Sequence, residues 1–214
     1  AGEPLVLHPH RALYWPRMGW LVASDLHLGK AAHLRKGGLP LPEGHDARTL
    51  QRLDAVMDAF RPRRVVVLGD LFHSSMNAAW ERFAAWARAR SAPIHLVPGN
   101  HDMLAGRRYR EAGVRVCDDA VEEGPFVLTH AAGERTAGYV LGGHLHPGVS
   151  LRGPGRQRLR LPCFWFGPRA GLLPAFGAGT GLHLMVPGSA DRVVACTERA
   201  AIDVSRLSGG AAAR

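Results

Sequence analysis

Three short apolar runs, at residues 20–23, 65–68 and 94–97, constrain this chain more than any other feature. The first two are continuous rather than alternating, the third is interrupted only by His95, and each stops at a polar turn: Ser24-Asp25, Gly69-Asp70 and Pro98-Gly99-Asn100. Continuous apolar runs of this length read as strands buried on both faces. Between the first two, Leu50, Leu53, Val56, Met57 and Phe60 recur at helical spacing and predict a helix over 46–60, ended by Pro62. Between the second and third, Trp80, Phe83, Ala84 and Ala87 predict a helix over 78–90. Strand and helix alternate, so the expected class is α/β with a partly parallel sheet.

The flanking segments are less regular. Residues 5–7 and 12–15 read as a hairpin around His8-Pro9-His10. Residues 29–44 are rich in Gly, Pro and cations and read as a loop with room for a short helical turn. Helical periodicity fades after about residue 112. Short β-like runs follow at 114–117, 126–129, 139–141, 159–161, 182–186 and 193–196, predicting a second, mainly antiparallel sheet. The expected organisation is one domain over residues 1–207, with a Gly/Ala-rich frayed tail at 208–214.

Composition removes several classes. No apolar run approaches the ~20 residues of a membrane span. Residues 1–4 lack a basic region followed by an apolar one, so no signal peptide is visible. Cys117, Cys163 and Cys196 form no CxxC, and a reduced, cytoplasmic protein is the expectation. The formal net charge is +9, and every cation except Lys30 and Lys36 is an arginine. Such a charge suits a nucleic-acid partner; it equally suits an Arg-rich composition from a GC-rich genome.

Chemistry is concentrated at the strand ends. Asp25-Leu26-His27, Gly69-Asp70, Gly99-Asn100-His101-Asp102, His130 and Gly143-His144-Leu145-His146 each follow a predicted strand. Ligands of open α/β sheets bind at the carboxyl ends of strands. Carboxylate, amide oxygen and imidazole together suit two divalent metals, with Mn first and Fe, Co, Ni or Zn as alternatives. No cysteine sits among these residues, which disfavours a structural zinc site. Asp-x-His and His-x-His are expected to place both members on one side of an extended segment.

In this order, these elements resemble the calcineurin-like metallophosphoesterase family. Ser24 to His33, Gly38-Leu39-Pro40, Leu68 to Ser74, Leu161 to Trp165 and Leu173 to Gly177 further resemble its DNA-ligase-associated subfamily. The resemblance covers about residues 5–200 and implies a four-layer α/β/β/α sandwich with two central mixed sheets flanked by helices. It implies one metal held by Asp25, His27, Asp70 and His146, and another by Asp70, Asn100, His130 and His144, with Asp70 bridging. A metal-bridging hydroxide would attack phosphorus, His101 would protonate the leaving oxygen or stabilise charge, and Asp102 would orient His101. The implied activity is phosphodiesterase, nuclease or DNA end processing in DNA repair. The implied partners are single-stranded or damaged DNA, with a functional association with an ATP-dependent DNA ligase and a helicase. Ala131 departs from the Pro-containing turn expected after His130, which bears on local loop shape.

Lys30, His33, Arg35 and His73 are candidate phosphate contacts beside these ligands. Arg61/Arg63/Arg64, Arg107/Arg108/Arg110 and Arg152/Arg156/Arg158/Arg160 could track a nucleic-acid backbone. Phe164, Trp165 and Phe176 could stack on bases, or belong to the core. Open β edges would allow a homodimer. Two other readings stay open: a phosphoesterase for nucleotides or other small phosphoesters, and a non-catalytic protein-binding scaffold of the same fold.

Overall fold

In this computed structural model, residues 2–36, 38, 44–73, 78–133 and 138–208 are described, apart from the side chains of His33, Lys36, Arg156, Leu207 and Ser208. The expected phosphate contact at His33 and the tail beyond 208 therefore lie outside the described residues. So do Leu39, Pro40 and Ser74.

The first sheet contains six strands in sequence order: β1 (Val6–His8), β2 (Ala12–Trp15), β3 (Trp20–Ser24), β4 (Arg64–Leu68), β5 (Ile94–Val97) and β6 (Val114–Val116). β1 to β3 pair antiparallel, whereas β3 to β6 are parallel. The continuous apolar runs have the expected cause, since both faces of β3 and β4 are covered. Leu21, Ala23, Val65 and Val67 pack with residues of α2 (His45–Phe60) and α3 (Ala78–Arg88), including Leu53, Val56, Trp80 and Phe83. Trp20, Val22, Val66 and Leu68 pack the other way, against Phe126, Leu128, Leu141, Phe164 and Val194 of the second sheet.

That second sheet is mixed. Its main path runs β13 (His183–Leu184), β10 (Pro147–Arg152), β11 (Arg158–Phe166), β12 (Ala170–Leu172), β9 (Tyr139–Gly142), β8 (Phe126–Thr129) and β7 (Ala120–Glu123). β14 (Arg192–Cys196) pairs with β11 and β15 (Ala201–Asp203). Antiparallel pairs dominate as expected, but β8–β9, β9–β12 and β10–β13 are parallel. The outer face of this sheet carries a small cluster of Val149, Cys163, Val193, Ala195 and Val204. The helix that packs there is the short α5 (Ser205–Ser208), against β10 and β14, a much thinner layer than α2 and α3 on the first sheet.

Two segments differ from the sequence expectation. The helix α1 (Lys30–Lys36) is longer, at 7 residues, than the short helical turn expected within that loop, and α4 (Gly106–Glu111) has no apolar periodicity to announce it. Among the described residues no helix is long and apolar enough to cross a membrane.

Candidate metal centre

Five parallel-strand ends meet at one edge of the sandwich. β3 ends at Asp25 and His27, β4 at Asp70, β5 at Asn100 and His101, β8 at His130, and β9 at His144 and His146. Asp25, His27, Asp70 and His130 are buried, while Asn100 and His144 are exposed, so the cluster has a closed floor and an open mouth.

The backbone corrects the expected geometry of the Asp-x-His and His-x-His pairs. Asp25, His27, Asp70, His144 and His146 all have positive φ, between 49° and 68°. These are left-handed turns and not extended segments. Such conformations cost about 1–3 kcal/mol for residues with a Cβ and persist where the surroundings over-determine them. Here Asp25 N–H donates to Gly69 O at 3.1 Å and His27 N–H to Asp70 O at 2.8 Å, locking the β3 and β4 turns together. Glycine is required beside these turns. A Cβ on Gly69 (φ +70°) would fall on the His130 ring, and one on Gly143 would meet the Asp25 carboxylate.

Two groups of donors result. Asp25, His27 and His146 form one; Asp70, His130 and His144 form the other, each with its ligand atoms within 4.8 Å of one another. In the first, His27 Nε2 and His146 Nε2 lie 3.0 Å apart, and Asp25 Oδ1 lies 3.4 Å from His146 Nε2. In the second, His130 Nε2 lies 3.0 Å from His144 Nδ1, 3.1 Å from Asn100 Oδ1 and 3.5 Å from Asp70 Oδ1. Asp70 faces both groups, because its Oδ2 is 3.9 Å from His27 Nε2.

The residues fit divalent cations. Asp25 Oδ1 is fully buried without a hydrogen-bond partner, a costly arrangement unless a cation compensates it. His130 Nδ1 lies 3.1 Å from Leu68 O, and donation there leaves Nε2 as a lone pair aimed into the cluster. Burial, followed by the Lys30 charge, pushes the His27 imidazole down to about 3, and nearby His146 and His73 add to this against Asp25. His27 is therefore neutral and able to ligate at ordinary pH. Burial works to raise the Asp25 carboxyl, but His146, His130 and the His144 N–H outweigh it and lower its pKa. Asp25 thus stays ionised.

The other expected site residues divide. The His101 backbone N–H donates to Asp70 Oδ1 at 3.0 Å, and its ring, 42% exposed, stands at the mouth with Nε2 4.0 Å from Asp70 Oδ2. The His73 ring packs 4.0 Å from that of His101 and 5.4 Å from that of His27, centroid to centroid. Lys30 places its charge near His27. Arg35 lines a cavity of about 450 Å³ with Arg82 between α1, α2 and α3; no metal-candidate residue lines it. The Asp102 carboxylate accepts from Gly99 N–H (2.9 Å), Phe72 N–H (3.2 Å) and Tyr109 O–H (3.1 Å), fastening the β4 and β5 turns to α4. Burial raises the Asp102 pKa against these three bonds.

The expected nucleic-acid contacts also divide. Phe164 and Phe176 are fully buried and belong to the core rather than to a base-stacking surface. Arg107 and Arg108 pair with Glu111, and Arg64 stacks on Trp20. Leu173 to Gly177 carries no strand pattern in the sequence. The N–H groups of Phe176 and Gly177 donate to Ser24 O and Asp25 O, so the segment 173–177 extends the first sheet beside the metal turn. Arg11 and Arg52 hold the outward carbonyls of that segment. Its Pro and Gly content hid a strand-like role.

Two facing sheets with Asp, Asn and His gathered at five strand ends define a metal-dependent hydrolase. The chain belongs to the calcineurin-like phosphoesterase family, whose model matches residues 18–137. Its fold resembles the Pseudomonas putida nuclease MPE, with 33% identity, 91% of this chain and 93% of that chain covered, and a TM-score of 0.79. Similarity to the phosphoesterase Yfce of E. coli is lower, at 15% identity, covering 86% and 96% of the two chains, with a TM-score of 0.45. No curated protein matches the chain. The protein is a metal-dependent phosphoester hydrolase.

Proposed function

We propose that the protein is a two-metal phosphodiesterase that cleaves or trims DNA. The observation that carries this reading is Asp70, which turns Oδ1 toward His130 and Oδ2 toward His27 and so can serve both donor groups. Asp25, His27 and His146 would hold one cation, and Asn100, His130 and His144 the other. This mixed nitrogen and oxygen set suits a first-row divalent cation, and Mn is the one we propose. When bound, paired cations act as Lewis acids on the phosphoryl oxygens and lower the pKa of water.

The chain's own residues supply the rest. His101, at the mouth and outside both donor groups, gives a proton to the leaving oxygen or stabilises charge developing there. His73 packs on its ring and limits its rotation. The buried floor excludes water behind the phosphate, while the open mouth admits a chain rather than enclosing a small molecule. DNA as substrate draws support from the net charge of +9 and from the likeness to a protein named as a nuclease. The resemblance of the segments around Asp25, Asp70 and Phe176 to the DNA-ligase-associated subfamily supports a place in DNA repair beside a ligase and a helicase.

The test is a Mn-supplemented digest of single-stranded, nicked and 3′-blocked DNA beside a nucleotide panel. Cleavage of DNA that falls steeply with ionic strength, with a small aryl diester nearly insensitive to salt, is the expected pattern. Turnover confined to nucleotides would replace DNA with a small phosphoester. Absence of all hydrolysis, with metal bound, would leave a binding scaffold.

A further inference from the structure

We propose that the cavity between the β1–β2 turn, α2 and the turn after β14 is a second anion site, built for a phosphate group. The cavity holds about 560 Å³ and is lined by His10, Arg11, Arg52, Arg160, Cys196 and Glu198, among others; no candidate metal ligand lines it.

The argument begins with uncompensated charge. Neither Arg11 nor Arg52 has an ion pair among the described residues. Arg11 spends one nitrogen on Ala175 O (3.1 Å) and Gly177 O (3.4 Å), and Arg52 spends one on Phe176 O (2.8 Å). A guanidinium has five N–H donors in a planar fork, so both keep donors beyond these backbone bonds, although the Arg52 guanidinium also stands 5.8 Å from the centroid of the Phe176 ring. The two cations also oppose each other. Burial, then the Arg52 charge, pushes Arg11 down to about 10, and burial lowers Arg52 as well. Enclosing like charges together is costly unless an anion joins them.

Two further groups point the same way. His10 lines the cavity, and burial followed by the Arg52 and Arg11 charges lowers its pKa, so it offers a neutral ring that can donate one hydrogen bond to an anion. Arg160 adds a third cation from β11. The one carboxylate, Glu198, is exposed and forms no ion pair with them; its attraction on Arg52 is outweighed by burial. Several guanidinium forks converging with an imidazole match the oxygens of a phosphate better than those of a single carboxylate. The same chemistry serves inorganic phosphate and a phosphate of a nucleic-acid chain. Arg11 and Arg52 also hold the segment whose N–H groups secure Ser24 and Asp25, so the site is joined to the metal turn through one strand of backbone.

The test titrates inorganic phosphate, a 5′-phosphorylated oligonucleotide and its 5′-hydroxyl counterpart, both with non-hydrolysable internucleotide linkages, into the metal-loaded protein by calorimetry, with the metal centre saturated by a non-hydrolysable analogue of a small diester. Phosphate is expected to bind under these conditions. Arg160→Glu is expected to weaken that binding at least about tenfold while kcat and KM for the small diester stay unchanged. Arg160→Gln provides the same comparison if the charge reversal fails to fold. Binding by inorganic phosphate alone assigns a free anion; binding by the phosphorylated oligonucleotide and not its counterpart assigns a chain end. Absence of phosphate binding once the metal centre is saturated, or an isotherm unchanged in both variants, overturns the proposal.

Discussion

Replacing Gly69 with alanine tests whether the metal centre depends on its turns as described. Gly69 has φ +70°, and an added Cβ would fall on Nδ1 and Cγ of the His130 ring. The left-handed conformation alone costs a residue with a Cβ about 1–2 kcal/mol. The ring must also leave its place, losing its contact with Leu68 O for about a further 0.5–1.5 kcal/mol. With local strain added, roughly 2–4 kcal/mol is expected, a fall in Tm of roughly 4–15 °C for a chain of this size. The displaced ring belongs to the Asp70/His130/His144 group, so that group should lose its metal while Asp25, His27 and His146 retain theirs. Gly113→Ala is the control. It has φ +80°, but its nearest neighbour is Arg88 Cγ at 4.0 Å, so it carries only the backbone cost and leaves metal binding intact. Differential scanning calorimetry with metal analysis of both variants decides the matter. Full metal content in Gly69→Ala, or an equal Tm loss in both variants, would refute the reasoning.

Other expectations follow from the same geometry. His101→Ala should lower kcat on a small aryl diester about 10²- to 10⁴-fold with metal content unchanged, since the ring lies outside both donor groups and the backbone N–H that bonds Asp70 is kept; lost metal or near-normal turnover would be wrong for this role. Tyr109→Phe removes one of three donors from Asp102 and should cost about 1 kcal/mol in a urea melt with kcat unaltered, separating a strap from a tuner of His101. Burial raises Cys163 and Cys196 to about 12, so the folded thiols keep protons that the unfolded chain releases above about 9. Their contribution to stability is complete below pH 9 and falls by about 1.4 kcal/mol per pH unit for each thiol as pH rises toward 12. Urea midpoints at pH 8.5 and 10 should therefore converge when both are replaced by alanine.

How much of this was legible beforehand can be argued residue by residue. β3, β4 and β5 are legible because both faces are buried, leaving residues 20–23 and 65–68 without a polar position and 94–97 with only the buried His95. α2 and α3 were legible because one face of each packs on the first sheet. α1 was not, since Lys30, His33, Arg35 and Lys36 leave its apolar side too short to register. The parallel pairing of β8 with β9 was also hidden, because short runs carry no sign of their partner's direction. The identities of the metal-candidate residues could be read, but their convergence was attributed to the wrong backbone. Positive φ at Asp25, His27, His144 and His146 is set by the packing around them and by Gly69 and Gly143, which no local pattern encodes.

The most direct measurement titrates Mn into EDTA-stripped protein while following hydrolysis of a small aryl diester and counting bound metal. Two equivalents per chain should bind, with full turnover only after the second. Asp70→Asn should lose both metal and turnover, because its two oxygens face the two donor groups. Full turnover at one equivalent, or an Asp70→Asn variant that still hydrolyses the diester, would contradict the account.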